Sequence, residues 1–257
     1  MDGKEPVKKN SKAKLVTLII IMCLLVAACC VYLLKVRGSR SEFSDPSEVV
    51  LSGTESVRSV ADKAVASSDW KLLLVNPWNK IPDGYKVETV GVENGYLIDK
   101  RVKKSIAKML SDCRAAGYSP QIISTFRTHE LQQRLYDTTA NKADTAFPGT
   151  SEHECGLAAD IIDSSSAGWA DPLIDKQESL PAQKWLMEHC QDYGFILRYP
   201  KDKEDITGII YEPWHYRYVG NDHAKKIMES GVCLEEYLAN EFGRENVTGT
   251  AEEKISE

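Results

Sequence analysis

Two histidines and an aspartate, far apart in this sequence of 257 residues, can form one metal site. His153 and Asp160 lie close together, whereas His215 comes much later in the chain. A catalytic zinc ion usually has three protein ligands and leaves a fourth position for water. Glu212 precedes His215 closely enough to act on that water without binding the metal. The pattern predicts one zinc ion per chain and the chemistry of a metal-dependent hydrolase.

Two alternatives for the ligand set stay open at this point. Asp163 could bind the metal in place of Asp160, although strand periodicity puts Ala158, Asp160 and Ile162 on one face. Glu212 could be the third ligand instead of the base. The two roles compete, because a carboxylate that binds the metal cannot freely transfer protons.

The residues around these positions carry a family resemblance. Residues 151–160 read Ser-x-His-x-x-Gly-x-Ala-x-Asp, and residues 212–215 read Glu-x-Trp-His. The two motifs resemble those of the VanY-type D-alanyl-D-alanine carboxypeptidases, zinc peptidases related to the VanX dipeptidases and the L-alanyl-D-glutamate endopeptidases. Residues 124–127 and 193–200 are similar to the same family, and the resemblance extends over residues 69–241.

The resemblance implies a role for each matching residue. His153, Asp160 and His215 would bind zinc, Glu212 would be the catalytic base, and Arg127 would stabilise an oxyanion or hold the substrate. The substrate would be a peptidoglycan precursor peptide that ends in D-Ala-D-Ala, with glycopeptide (vancomycin) resistance as an implied role. Four further residues are expected to contact this substrate: Ser124, Gln132, Ser151 and Trp214.

Three positions depart from the family pattern, and other functions stay open. Thr125 and Phe126 replace the usual Gly and Tyr, and Cys155 lies inside the metal motif. The same fold could act as an L,D-carboxypeptidase or an endopeptidase, or as a non-catalytic wall-binding module, although the presence of Glu212 argues against the last. The sequence has no Gly-x-Ser-x-Gly motif, which argues against a serine-type enzyme.

Composition and charge restrict the class of partner. The chain has a net charge of −6 and no stripe of basic and aromatic residues, so nucleic-acid binding is not expected. Its length suits one sizeable domain with attached segments.

The N-terminal part is predicted to anchor the chain in a bacterial cell membrane. Residues 15–34 are uncharged and apolar over a length that spans the hydrocarbon core. Lysines are in excess before this run, which favours a cytoplasmic N-terminus and an extracytoplasmic catalytic domain. We expect a basic tail at 1–14, a transmembrane anchor at 15–35 and a linker at 36–68. A cleaved signal peptide and a lipoprotein processed at Cys29 are the alternatives.

The rest of the chain is predicted to be a zinc peptidase domain at 69–242 with a disordered acidic tail at 243–257. Helices mixed with hairpin-connected strands indicate an α+β fold with an antiparallel sheet flanked by helices. The resemblance implies the same fold, which the family shares with Hedgehog signalling domains. Strands are predicted at 71–75, 121–125, 157–162, 195–199, 207–211 and 216–219. Helices are predicted at 99–116, after Thr128, and at 181–193, 222–230 and 234–242.

The other reactive side chains are given structural interpretations. Cys113, Cys155, Cys190 and Cys233 permit three full disulfide pairings, or they are small buried residues. The remaining histidines in this region, His129, His189 and His223, are expected to be surface or packing residues. Four charged residues are expected to be solvated or structural: Glu152, Glu154, Arg198 and Arg217.

Overall fold

A computed structural model describes residues 69–142 and 145–255, which all lie in one compact unit. The predicted basic tail, membrane anchor and linker lie outside these residues. Among the residues described, none of the helices combines the length and the apolar character that crossing a membrane would require.

The strands of the described region form two antiparallel sheets. β1 (Thr89–Gly91) and β2 (Leu97–Asp99) make a short hairpin. The larger sheet has four strands in the order β3-β4-β6-β5, and all neighbouring pairs are antiparallel. Its strands are β3 (Pro120–Ser124), β4 (Ala158–Asp163), β5 (Phe195–Leu197) and β6 (His215–Tyr218).

Helices surround the larger sheet. Thr128 caps α2, because its side chain accepts a hydrogen bond from the backbone of Leu131. Pro181 begins α3, where its missing N–H is not needed. The α-helices are α1 (Lys103–Ala115), α2 (His129–Thr138), α3 (Pro181–His189), α4 (Glu204–Thr207), α5 (Asn221–Ser230) and α6 (Leu234–Phe242).

The alternation of side chains along the strands separates an apolar face from a polar face. Ala159 of β4 pairs with Tyr216 of β6, and both belong to the main apolar core. The next pair along the sheet is Asp160 and His215, which point to the opposite face. The main core packs this apolar face against α1 and α3 through Ile106, Met109, Leu110, Ala182 and Leu186. A rigid, close-packed sheet therefore carries the polar residues.

The structure confirms the α+β class and most of the predicted elements, with shifts at their ends. Strands β3, β4, β5 and β6 and helices α2, α3, α5 and α6 correspond to predicted segments. The helix predicted at 99–116 begins only at Lys103, because residues up to Asp99 pair with β1 in a hairpin that the sequence analysis missed.

Two predicted strands are wrong. In the segment 71–75, a 3-10 turn at Trp70–Leu72 is followed by irregular backbone. In the segment 207–211, helix α4 ends at Thr207, and Gly208 follows it with a φ of 74° that favours glycine. A short apolar run indicates that a segment is buried, but it does not indicate the backbone conformation. Residues Leu72–Val75 are indeed buried, but they do not pair as a strand.

Residues 243–255 of the predicted acidic tail contact the start of the domain. Asn76 Nδ2 donates to the Val247 carbonyl at 2.9 Å, and Trp78 Nε1 donates to the Thr250 carbonyl at 2.8 Å. The Ile255 amide donates to the Pro77 carbonyl at 2.8 Å. The turn at 76–78 thus supplies hydrogen-bond partners for the tail, which its polar composition cannot reveal.

The four cysteines of the described region are buried free thiols, so none of the three disulfide pairings forms. The interpretation as small buried residues is confirmed for Cys113, Cys155, Cys190 and Cys233.

Candidate active site

Three elements bring the predicted zinc ligands together. Asp160 on β4 lies opposite His215 on β6, and His153 lies on a 3-10 turn, Glu152–Cys155, just before β4. Gly156 ends this turn with a φ of 71°, and an added Cβ would lie only 2.6 Å from Val87. The glycine is therefore required for the turn that places His153 over the sheet. One ligand atom from each of the three residues lies within 4.8 Å of the others.

Each of the two histidine rings is oriented by a hydrogen bond at the nitrogen that faces away from Asp160. Nδ1 of His153 lies 2.7 Å from the Thr125 carbonyl oxygen, which can only accept, so this nitrogen carries the proton. Nε2 of His153 then faces Asp160 Oδ2 at 3.1 Å with a free lone pair. His215 is turned the other way: its Nε2 lies 3.3 Å from Glu152 Oε2, and its Nδ1 lies 3.1 Å from Asp160 Oδ1.

The three groups therefore converge as acceptors, an arrangement that fits a cation. Asp160 Oδ1 is buried and has no hydrogen-bond partner, although His215 Nδ1 is 3.1 Å away. Two imidazole nitrogens and a carboxylate oxygen are typical zinc ligands, and a buried carboxylate is costly without a partner. His153, Asp160 and His215 thus fit the predicted zinc ion.

A proton competes with zinc for this cluster. Burial alone would lower the pKa of His215, but the neighbouring carboxylates of Asp160 and Glu152 raise this pKa to about 9. The pKa of Asp160 lies well below its usual value, because His153 and His215 outweigh the effect of burial. Zinc binding is therefore expected to be linked to proton release from this cluster.

Asp163, the alternative ligand, is engaged elsewhere. Its Oδ2 accepts a hydrogen bond from the Ala182 amide at 2.9 Å, at the start of α3. Its Oδ1 accepts from the backbone and the hydroxyl of Ser165 at 3.0 and 2.7 Å. Asp163 therefore holds a helix start and a turn, and the structure brings Asp160 alone of the two aspartates into the ligand cluster.

Glu212 lies beside the ligands without belonging to the cluster of three. Its Oε2 is 3.6 Å from His215 Nδ1, and 21% of its side-chain surface is exposed. Burial, with Asp160 adding to it, raises the pKa of Glu212 to about 7, although His215 and Arg127 act in the other direction. A carboxyl group that titrates near neutral pH is suited to taking up and returning a proton. These features favour a base over a third ligand.

Arg127 projects from the junction between β3 and α2. Its backbone amide donates to the His153 carbonyl at 3.2 Å, and its Nε is buried without a hydrogen-bond partner. Burial lowers the pKa of Arg127, while Asp160, Glu154 and Glu212 oppose this effect. Arg127 also lines a cleft of about 490 Å³ between the 80–87 segment and α2. A cationic donor at this position can bind a substrate oxygen.

The four predicted substrate contacts occupy different environments. Ser124 Oγ lies 3.4 Å from His153 Nδ1, and Gln132 Nε2 donates to the Ala146 carbonyl at 2.8 Å. Gln132 Oε1 is buried without a partner. Ser151 and Trp214 are both buried. Ser151 lies two residues before His153 in sequence, and Trp214 directly precedes His215. Their contacts with substrate stay predictions.

A buried charged cluster that was not predicted from the sequence lies beneath the ligands. Glu152 is completely buried and forms ion pairs with Arg198 and Arg217 at 2.7 and 2.6 Å. Of the two interpretations of Glu152, solvated or structural, the structure supports the structural one. One signal was available: Arg217 lies two residues after His215 on β6, so strand periodicity puts both on one face.

The other polar residues of the region have structural partners. The Glu154 carboxylate accepts hydrogen bonds from the Gly149 amide and from His129 Nδ1, both at 2.8 Å. The ring of His189 packs against Trp185 at 4.7 Å. Nδ1 of His223 lies 2.8 Å from the Tyr237 hydroxyl. None of these three histidines joins the metal cluster found among the described residues.

An α+β domain with a buried His/Asp/His cluster and an adjacent carboxyl group of raised pKa defines a zinc-dependent hydrolase. The family described as "VanY: D-alanyl-D-alanine carboxypeptidase" matches residues 95–221. A D-alanyl-D-alanine carboxypeptidase of Enterococcus faecalis is 40% identical over 203 residues, which cover 73% of this chain and 72% of that protein.

Two solved structures are similar over the same region. One is a VanY D,D-pentapeptidase variant from a VanB-type resistance cassette in complex with Zn(II), with 40% identity and a TM-score of 0.58 over 66% of this chain and 99% of that one. The other is VanYB in complex with D-alanine-D-alanine, with 40% identity and a TM-score of 0.58 over 67% of this chain and 99% of that one. This chain belongs to the VanY family of D-alanyl-D-alanine carboxypeptidases, and it is a zinc metallocarboxypeptidase.

Proposed function

We propose that this chain removes the terminal D-alanine from peptidoglycan precursor peptides that end in D-Ala-D-Ala. The main observation in support is the buried cluster of His153, Asp160 and His215, with Glu212 beside it. The similarity to VanYB, which was solved with D-alanine-D-alanine, supports this choice of substrate.

The side chains of the site have different roles in the proposed hydrolysis. When bound, zinc supplies a Lewis acid that polarises the scissile carbonyl and makes water more acidic. Glu212 takes a proton from the attacking water and returns one to the amine nitrogen of the departing D-alanine. Arg127 holds a substrate oxygen that becomes more negative as the tetrahedral centre forms. Ser124, Gln132, Ser151 and Trp214 would contact the peptide around this centre.

The biological setting follows from the chain's N-terminal sequence and its substrate. The anchor at 15–35 would hold a catalytic domain at 69–242 outside the bacterial cell membrane, with residues 1–14 in the cytoplasm and 36–68 as linker. The apolar run and the lysines before it support this arrangement, with a lipoprotein cleaved at Cys29 as the alternative. Removal of the terminal D-alanine would withdraw the peptide end that vancomycin binds and so contribute to resistance.

Product analysis tests the proposed reaction. The zinc-loaded full chain is incubated with UDP-linked muramyl pentapeptide and, in a separate reaction, with the tetrapeptide. The products are identified by mass spectrometry. We expect loss of one D-alanine from the pentapeptide alone, loss of activity with a chelator, and recovery with zinc. Cleavage of the tetrapeptide with an untouched pentapeptide would establish L,D-carboxypeptidase activity instead. If neither peptide were cleaved, the proposed reaction would be wrong and a binding role would replace it.

A further inference from the structure

The residue next to a zinc ligand in sequence contacts a different zinc ligand in space. Glu152 immediately precedes His153, yet its Oε2 lies 3.3 Å from Nε2 of His215. A carboxylate oxygen can only accept, so the contact places a proton on Nε2 of His215. Nδ1 of His215 is then left to face Asp160, 3.1 Å away. The tautomer of His215 thus depends on Glu152.

Two arginines hold the Glu152 carboxylate in place. Its Oε1 accepts from Arg198 Nε at 2.7 Å and from Arg217 Nη1 at 2.6 Å, and all three side chains are completely buried. Arg217 is itself fixed by the Leu73 carbonyl, which accepts from Nη2 at 2.6 Å. The two guanidinium groups leave Oε2 aimed at His215 and favour the ionised carboxylate.

Glu235 of helix α6 completes the charge balance of this cluster. Its carboxylate accepts from Arg198 Nη1 and Nη2 at 2.9 and 2.6 Å, and from Asn76 Nδ2 at 3.0 Å. The cluster therefore contains two carboxylates and two guanidinium groups, all buried. Both glutamates neutralise Arg198, but Glu152 also contacts the zinc ligand.

We propose that Glu152 is a positioning residue for zinc: it fixes His215 as the Nε2–H tautomer, and Arg198 and Arg217 hold its carboxylate for that task. Carboxylates that accept from a metal-bound histidine orient its ring and strengthen it as a ligand. Such contacts strongly affect metal affinity, so Glu152 does more than balance the charge of two buried arginines. The inference concerns the same zinc site as the proposed function, but zinc affinity tests it independently of turnover.

Two matched variants of the full chain separate positioning from charge balance. Glu152→Gln and Glu235→Gln each remove one buried negative charge beside Arg198, and both should lower the midpoint of unfolding. Zinc affinity, measured by competition with a chromophoric chelator, should fall roughly 10- to 100-fold in Glu152→Gln and by less than about 3-fold in Glu235→Gln. Equal losses in the two variants, or an unchanged affinity in Glu152→Gln, would overturn the proposal.

A measurement on the unmodified chain keeps the test decisive if Glu152→Gln does not fold. Nitrogen-15 NMR of the zinc-loaded full chain, with His215 assigned by its absence from His215→Ala, reports which ring nitrogen carries the proton. We expect a protonated Nε2 whose proton is shifted downfield by a carboxylate acceptor. A His215 ring protonated at Nδ1, with zinc on Nε2, would contradict the orientation that Glu152 is proposed to impose.

Discussion

Asp160 and His215 are paired across neighbouring strands, with Oδ1 of the aspartate 3.1 Å from Nδ1 of the histidine. Asp163 lies at the other end of the same strand, where its carboxylate caps helix α3. The two aspartates are close in sequence but have different roles. Substituting each in turn should affect zinc binding at Asp160 and stability at Asp163.

Asp160→Asn should abolish stoichiometric zinc binding, because the neutral amide replaces the only carboxylate among the three described ligands. Asp163→Asn should bind zinc normally but lose about 1 kcal/mol of unfolding free energy through the weakened start of α3. Metal content after dialysis and urea denaturation measure these outcomes. If Asp163→Asn lost zinc and Asp160→Asn kept it, the assigned ligand set would be wrong.

Glu212→Gln should reduce kcat by about 10²- to 10⁴-fold, because the amide cannot accept a proton from water. Zinc content should stay at one ion per chain, since Glu212 lies outside the cluster of three ligands. Steady-state kinetics on the pentapeptide, with the exposed Glu204→Gln as control, measures the loss. A normal kcat in Glu212→Gln would assign the base to another residue.

The raised pKa of Glu212 also predicts a stability difference that depends on pH. The folded chain holds this proton up to about pH 7, whereas an unfolded glutamate releases it near its usual value of 4.5. Stability from this group is therefore present at pH 4 and is lost as pH rises through 7. Without metal, Glu212→Gln should be more stable than the natural chain by about 1–3 kcal/mol at pH 8 and equal to it at pH 4.

Chemical denaturation of both chelator-treated chains at pH 4 and pH 8 measures this difference. Asp163→Asn is a suitable comparison, because it replaces a carboxylate that is well bonded in the folded chain and should be destabilising at pH 8. If the Glu212→Gln chain were less stable than the natural chain at pH 8, burial would not be destabilising the ionised form of Glu212.

The clustering of His153, Asp160 and His215 could be predicted from the sequence, because each residue lies within a short motif and strand periodicity indicated the face of Asp160. The strand predicted at 71–75 failed for a different reason: an apolar run indicates burial, and its backbone conformation depends on whether a neighbouring strand is available. Residues 73–75 are buried with no such neighbour.

Apart from the position of Arg217 on the same strand face as His215, local sequence gives no sign of the charged cluster. Glu152 lies on a 3-10 turn, Arg198 directly follows β5 and Glu235 lies on α6, and each alone looks like a surface charge. Only the fold buries them together, where mutual pairing offsets the cost of removing each charge from water. The contacts of residues 247 and 250 could not be predicted locally either, because their partners Asn76 and Trp78 lie at the start of the domain.

Arg127→Lys should lower kcat/KM by about 10²- to 10³-fold, because lysine keeps the charge but loses the forked donor geometry. Arg127→Ala should lose at least as much. Arg134→Lys, on an exposed part of α2, is the matched control and should be neutral. Kinetics on the pentapeptide, together with zinc content, separates this role from metal binding. Full activity in Arg127→Lys would show that charge alone suffices there.

Removal of residues 246–257 should destabilise the domain without affecting zinc. The truncation deletes the acceptors of Asn76 Nδ2 and Trp78 Nε1, and a lost hydrogen bond costs about 0.5–1.5 kcal/mol. We expect the unfolding free energy to fall by about 1–3 kcal/mol, with a red shift of tryptophan fluorescence as Trp78 becomes more exposed. Zinc affinity should change by less than about 3-fold, because Asn76 keeps its bond to Glu235. A truncated chain with the stability and fluorescence of the full chain would show that the tail contributes nothing to the fold.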